Sequence, residues 1–153
     1  MKKLTIIGFF MVCGMGTLFH FLYSYVPLIL FPRNESIFEH MKLVVFPFFL
    51  TFFMILPFYK EDGRALFSSF LTAILVSMSC IIIGYYTYSG FIGKSIDPIN
   101  ILLYYISIFI GFGFIYKKKT LISFSNSVIF SLILFIVILT FSFYVPNLSF
   151  FRG

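Results

Sequence analysis

The chain has 153 residues, of which 61% are hydrophobic and only 10% are charged, and its mean hydropathy is +1.08. Soluble domains carry about 25% charged residues, so this chain has too few polar groups to cover a water-exposed surface. The composition therefore excludes a soluble enzyme, a disordered chain and a secreted disulfide scaffold. It predicts a small polytopic membrane protein.

The net charge of +6 does not indicate a nucleic-acid-binding protein. The basic residues lie at the ends of long apolar runs, which is the charge distribution typical of membrane proteins. We therefore expect the lipid bilayer to be the main partner of the chain, and we expect no nucleic acid.

Five apolar runs predict the fold class, because about 20 apolar residues are needed to span the hydrocarbon core as a helix. The runs are continuously apolar, whereas the strands of a membrane β-barrel alternate. The second run is short, and a helix that begins at Ser36 lengthens it. The predicted fold is an all-α bundle of five transmembrane helices in a single domain. The spans are about 4–31, 36–59, 65–88, 99–116 and 121–145.

The distribution of lysine and arginine predicts the orientation of the bundle. With five spans, the N-terminus and the connections at 60–64 and 117–119 share one side, which carries seven basic residues. The other side carries four, which are Arg33, Lys42, Lys94 and Arg152. Because basic connections stay in the cytoplasm, we expect a cell-membrane protein with a cytoplasmic N-terminus and an extracytoplasmic C-terminus.

Small residues repeat every four positions in two of the spans, and such stripes let helix backbones approach in lipid. The third span carries Ser69, Ala73 and Ser77, and the fifth carries Ser123, Ser127 and Ser131. We expect both stripes to face protein. Ser142 lies outside them and is expected to tolerate leucine.

The segment before the second span is the most polar part of the chain on the predicted outer side. It contains two of the five acids and one of the two histidines, namely Glu35, Glu39 and His40. The Ser-x-x-Glu pattern from Ser36 to Glu39 is a capping box, and Asn34 is an alternative cap. Capping explains all of these residues except His40.

His20 is the second histidine, and it lies well inside the first span. It follows Leu4 by 16 residues, which corresponds to about 24 Å along a helix. A histidine at this depth usually faces the interior of a bundle and indicates a functional site. Because the second helix begins at the same level, we expect His20, Glu35, Glu39 and His40 to converge near the outer boundary.

Three interpretations of this convergence stay open. The first is a structural polar cluster that joins the first two helices. The second is a pocket for a small ligand or ion, or a proton relay, since histidine titrates near neutral pH. The third is a site for a divalent metal such as Zn²⁺, with His20, Glu39 and His40 as ligands, although the sequence has no H-E-x-x-H motif.

Residues 34–43, followed by Pro47, resemble the signature N-E-S-x-x-E-H-x-K-L of an uncharacterised family of small bacterial integral membrane proteins. Residues 18–21 are similar to a Leu-His-Phe element near the end of that family's first span. Residues 86–90 are similar to its tyrosine- and glycine-containing turn after the third helix. The likeness extends over about residues 14–95. It implies a bacterial membrane protein and supplies no activity.

Three functions are compatible with these features. The first is a non-enzymatic membrane protein whose extracytoplasmic cluster binds a small ligand, an ion or a partner protein. The alternative is a small intramembrane metal-dependent enzyme that acts on a lipid or peptide at the outer leaflet. The third is a transporter subunit, which requires oligomerisation because the chain has no internal repeat. A membrane-protein partner or a homo-oligomer is compatible with all three.

Overall fold

The computed structural model describes residues 2–22, 31–32, 34 and 36–151, and within them the regular secondary structure is entirely helical. The helices are α1 (Lys2–Leu22), α2 (Ile37–Ile55), α3 (Gly63–Ile92), α4 (Asp97–Tyr116) and α5 (Phe124–Phe143). One 3-10 turn, Leu56–Phe58, continues α2, and another, Ser149–Phe151, follows α5. All five helices are long and apolar enough to cross a membrane. The predicted all-α class is therefore confirmed.

Helix α2 lies at the centre of the bundle, with 67% of its most apolar window buried against 17% for α5. It packs against α1, α3 and the 3-10 turn that follows α5. Its Phe48 ring stacks on Phe112 of α4 with 5.1 Å between centroids, and its Phe49 ring packs on Phe135 of α5 at 5.0 Å. Polar residues of α2 are consequently enclosed by protein over most of the helix.

Helices α3 and α4 form the most extensive helix pair, and small residues bring them together. A Cβ atom at Gly111 would overlap the Ser77 hydroxyl and lie 2.8 Å from the Ala73 carbonyl oxygen. The Ser77 hydroxyl donates a hydrogen bond to the Ser107 carbonyl at 3.0 Å. The third-span stripe therefore faces protein, as its spacing predicts.

The stripe in α5 behaves differently at its two ends. Ser127 and Ser131 are buried, as predicted, whereas Ser123 is the exposed N-cap of the helix. The prediction for Ser142 is wrong, because this residue is buried and its hydroxyl donates to the Ile138 carbonyl at 2.6 Å. Ser142 follows Ser131 by about three full helical turns, which returns it to the buried face.

Contacts between connections place one set of helix ends together. Lys118, in the α4–α5 connection, forms an ion pair with Glu61 in the α2–α3 connection. Lys2 at the start of α1 lies 5.9 Å from the ring centroid of Tyr116 at the end of α4. The three basic segments that the sequence assigns to one side of the membrane therefore meet at one end of the bundle, which we call the basic end.

The exposed ion pair at the basic end predicts a small dependence of stability on pH. The hydrogen bond from Lys118 lowers the pKa of the Glu61 carboxyl below its ordinary value of 4.5. The pair therefore stabilises the folded state above that value, and this contribution is lost as the pH falls through the lowered pKa. When the pH is lowered from 7 to 3 at low salt, the unfolding temperature of Glu61→Gln should fall slightly less than that of wild type. High salt should remove the difference, because exposed pairs are screened. Identical shifts at low salt would show that the pair does not contribute.

At the opposite end, α3 is longer than the third predicted span. Residues 86–90, which resemble a turn, are helical, and the chain turns instead at Gly93 with a φ of +82°. The Tyr88 hydroxyl forms a hydrogen bond with Asn100 of α4, which closes the α3–α4 connection. This opposite end also holds the end of α1 and the start of α2.

Candidate functional site

The start of α2 is held by two polar side chains. Ser36 is the N-cap, and its hydroxyl accepts a hydrogen bond from the Glu39 backbone N–H at 3.2 Å. The backbone N–H of Ser36 donates to the Asn34 side-chain oxygen at 2.9 Å. In a capping box the glutamate reaches back to the N-cap N–H; here Asn34 accepts that hydrogen bond.

The Glu39 carboxylate forms an ion pair with Lys42, one turn further along α2. The Lys42 ammonium donates to the Glu39 Oε2 at 2.6 Å, and the exposed fractions are 0% for Lys42 and 3% for Glu39. The sequence-based topology counts Lys42 as a basic residue of an outer connection, and this assignment is wrong. Lys42 lies within α2 and belongs to the buried polar interior.

His40 has a defined tautomer because of its hydrogen bond to the preceding turn. Its ring Nδ1 lies 2.9 Å from the Ser36 carbonyl oxygen. A carbonyl can only accept, so Nδ1 carries the proton, and in the neutral ring Nε2 carries the lone pair.

His20, in the last turn of α1, lies beside His40. Their ring centroids are 5.4 Å apart with an interplanar angle of 42°, and both side chains are half-buried. The proximity expected from the depth of His20 is therefore present, and it joins the end of α1 to the start of α2. We call His20, Ser36, Glu39, His40 and Lys42 the α1/α2 polar cluster.

The sequence also predicts Glu35 as a ligand-binding residue, and Glu39, with the two histidines, as a metal ligand. Glu35 lies outside the described residues. Within the described ranges, no three His, Cys, Asp or Glu side chains lie close enough together to hold one metal ion. His20, Glu39 and His40 therefore do not form a three-ligand metal site. The Glu39 carboxylate instead pairs with Lys42.

Tyr104 of α4 contacts the backbone of α1 and of α2, and no sequence pattern identifies it. Its hydroxyl lies within hydrogen-bond distance of the Leu43 carbonyl at 3.3 Å and of the Val12 carbonyl at 3.4 Å. The absence of a side chain at Gly16 provides the space for this hydroxyl. Tyr104 thus ties α4 to both helices that carry the cluster.

Aromatic residues from α5 and the turn after it cover the start of α2. The Phe38 ring packs against Phe151 at 4.7 Å and against Phe141 at 5.8 Å between centroids. The Asn34 side-chain amide donates to the Phe151 carbonyl at 3.4 Å. These contacts place the end of α5 and the turn after it against the start of α2.

Comparison with known protein families gives a match over residues 1–153 to a family described as DUF6512, a family of unknown function. No curated protein and no solved structure matches the chain.

Proposed function

We propose that this chain, which belongs to the DUF6512 family of unknown function, is an integral membrane protein that binds a small ligand or ion in its α1/α2 polar cluster. The observation that carries the proposal is the buried Lys42–Glu39 ion pair inside a helix apolar enough to span a membrane. The His20 and His40 rings, which lie against each other at the same end of α1 and α2, add further hydrogen-bonding groups to the cluster.

A structural role alone accounts poorly for the ion pair. Removing two charges from water costs several kcal/mol per ion, and replacing a buried pair with apolar residues of similar volume is often neutral or stabilising. The bundle already has an aromatic core, in which Phe48 and Phe112 stack. Ionisable residues within membrane helices usually mark ligand or ion pathways, and this supports a binding site.

The proposal includes a bacterial cell-membrane location with the N-terminus in the cytoplasm. It is supported by the basic end of the bundle, where Lys2 lies over the Tyr116 ring and Lys118 pairs with Glu61, because basic segments stay in the cytoplasm. In this orientation the α1/α2 polar cluster lies on the extracytoplasmic side. Its ligand then arrives from outside the cell.

The test is a ligand panel measured on the full chain in detergent by thermal unfolding. The panel contains divalent cations, monovalent cations, amines, and carboxylate and phosphate anions. A ligand at 100 times its Kd stabilises the folded state by about 2.7 kcal/mol. At least one class should raise the unfolding temperature of wild type saturably, and the shift should be lost in the double variant Glu39→Leu/Lys42→Met.

The matched control is Glu61→Leu/Lys118→Met, which removes the exposed ion pair at the basic end. This variant should keep the ligand-induced shift. If no class stabilises the wild-type protein, or if the shift persists in Glu39→Leu/Lys42→Met, the cluster is a structural element and the proposal fails.

A further inference from the structure

We infer that the basic end of the bundle holds a binding site for the headgroup of an anionic phospholipid. The site lies where the α4–α5 connection runs beside α3. Arg64, Lys117 and Lys119 supply its positive charge, and exposed apolar residues at the start of α5 supply a surface for the acyl chains. This site is separate from the α1/α2 polar cluster, which lies at the opposite end of the bundle, and it goes beyond the function proposed above.

Most of the positive charge at the basic end has no acidic partner. The three segments that meet there hold seven basic residues and two acids. One acid, Glu61, is already paired with Lys118, and the other, Asp62, caps the start of α3. Within the described ranges, neither Lys117 nor Lys119 forms an ion pair. The surface is therefore complementary in charge to anionic headgroups, which attract each lysine or arginine near the membrane surface.

The α4–α5 connection descends along α3 from the tip of the bundle. At the tip, Lys118 lies beside Glu61. Three residues later, the Leu121 backbone N–H donates to the Thr72 hydroxyl at 3.1 Å. Thr72 follows Gly63, the first residue of α3, by nine positions, which is about 14 Å along the helix. The lysines therefore lie nearer the tip than the apolar side chain of Leu121, which is 69% exposed. A phospholipid has the same order, with its phosphate nearer the water than its acyl chains.

The backbone of the lysine triplet has a defined conformation, which a topology signal does not require. Lys118 has a φ of 51°, in the left-handed region that favours glycine. The Lys119 N–H donates to the Phe114 carbonyl at 2.9 Å, which closes the end of α4 as in a Schellman motif. The Lys118 side chain is held by Glu61. The backbone positions of Lys117 and Lys119 on either side of it are consequently defined, and their charges are left for an external anion.

Arg64 joins the charged part of this site to its apolar part. Its guanidinium lies 5.6 Å from the centroid of the Phe124 ring, at the start of α5. An aromatic ring attracts the cation but does not neutralise its charge. Arginine binds phosphate through two parallel hydrogen bonds, which lysine cannot form. The Phe124 side chain is itself 41% exposed, so it borders both the guanidinium and the surface available to an acyl chain.

The test is lipid binding to the full chain in detergent, measured by native mass spectrometry. Phosphatidylglycerol and phosphatidylcholine with identical acyl chains are compared, so that only the headgroup charge differs. Wild type should bind phosphatidylglycerol at least about 10-fold more tightly, and Arg64→Gln, Lys117→Gln and Lys119→Gln should each weaken this binding by about 5-fold. The matched control is Lys94→Gln, which removes an exposed lysine from the α3–α4 connection and should bind both lipids like wild type.

Two further arms separate a built site from diffuse attraction and from a soluble ligand. Arg64→Lys keeps the charge and should still weaken phosphatidylglycerol binding, by less than Arg64→Gln, because the planar fork is lost. Glycerol phosphate carries the headgroup chemistry without acyl chains, and it should not displace the bound lipid at an equal concentration.

Equal binding of the two lipids by wild type would overturn the inference, and that comparison needs no variant. A loss in Lys94→Gln as large as in Lys119→Gln, or an Arg64→Lys protein that binds like wild type, would show diffuse attraction and would also overturn it. Displacement by glycerol phosphate would overturn the assignment to a lipid. None of these results affects the test of the Glu39–Lys42 pair, because that test reads soluble ligands at the opposite end of the bundle.

Discussion

Gly16→Ala should lower the free energy of unfolding by about 2–4 kcal/mol, through overpacking and loss of the Tyr104 hydrogen bonds. The added Cβ would overlap the Tyr104 hydroxyl and lie 2.8 Å from the Leu43 carbonyl oxygen. The second neighbour is backbone of α2, which cannot move without separating the two helices. The measurement is equilibrium unfolding in detergent micelles.

Gly14→Ala is the matched control in the same helix, because a Cβ there has no neighbour within 4 Å. It should be neutral or slightly stabilising, since alanine is the better helix former by up to about 1 kcal/mol. Adding Tyr104→Phe to Gly16→Ala should recover part of the loss by removing the overlapping hydroxyl. Equal stabilities of the two glycine variants would contradict the close approach of α1, α2 and α4.

Lys42→Met should lower the free energy of unfolding by about 3–5 kcal/mol, because it leaves the buried Glu39 carboxylate without its positive partner. Glu39→Leu introduced together with Lys42→Met should restore most of this stability. The double variant replaces the pair with apolar residues of similar volume. The four proteins form a double-mutant cycle, to be measured by unfolding at pH 7.

Lys118→Met is the comparison for an exposed pair, and its effect on the free energy of unfolding should be much smaller than that of Lys42→Met. A similarly small loss in Lys42→Met would contradict the burial of Lys42. A double variant as unstable as Lys42→Met alone would show that the pair is required for packing. That outcome would weaken the argument for a binding site.

The helices were predictable because a membrane-spanning helix is recognised from one property of the sequence, the length of an uninterrupted apolar run. Long runs without charge require a membrane, and hydrophobic length alone locates the spans. Lys42 shows where this reasoning fails. Rules that count loop charges assign each lysine by its position beside an apolar run, so they place Lys42 outside the helix. Its i,i+3 spacing from Glu39 was visible in the sequence and indicates a pair on one helix face.

The candidate site was predictable in part for a similar reason. His20 and His40 were expected to meet because both lie at one depth of the bundle, and depth follows from helix rise. Tyr104 and Phe151 were not predictable as neighbours of the cluster. The sequence around a tyrosine in the middle of a span does not show whether its side chain faces lipid or protein. The contact of Phe151 with Phe38 depends on how α5 packs against α2, which the local sequence does not determine.

The cover over the start of α2 has a consequence for biosynthesis. Asn34 and Phe151, which share a hydrogen bond, are 117 positions apart in the chain. At 5–20 residues per second, a ribosome needs about 6–23 s to make the intervening segment. During that interval the nascent α2 lacks the contacts of Phe38 with Phe141 and Phe151. We therefore expect the start of α2 to reach its final packing only after α5 has been synthesised.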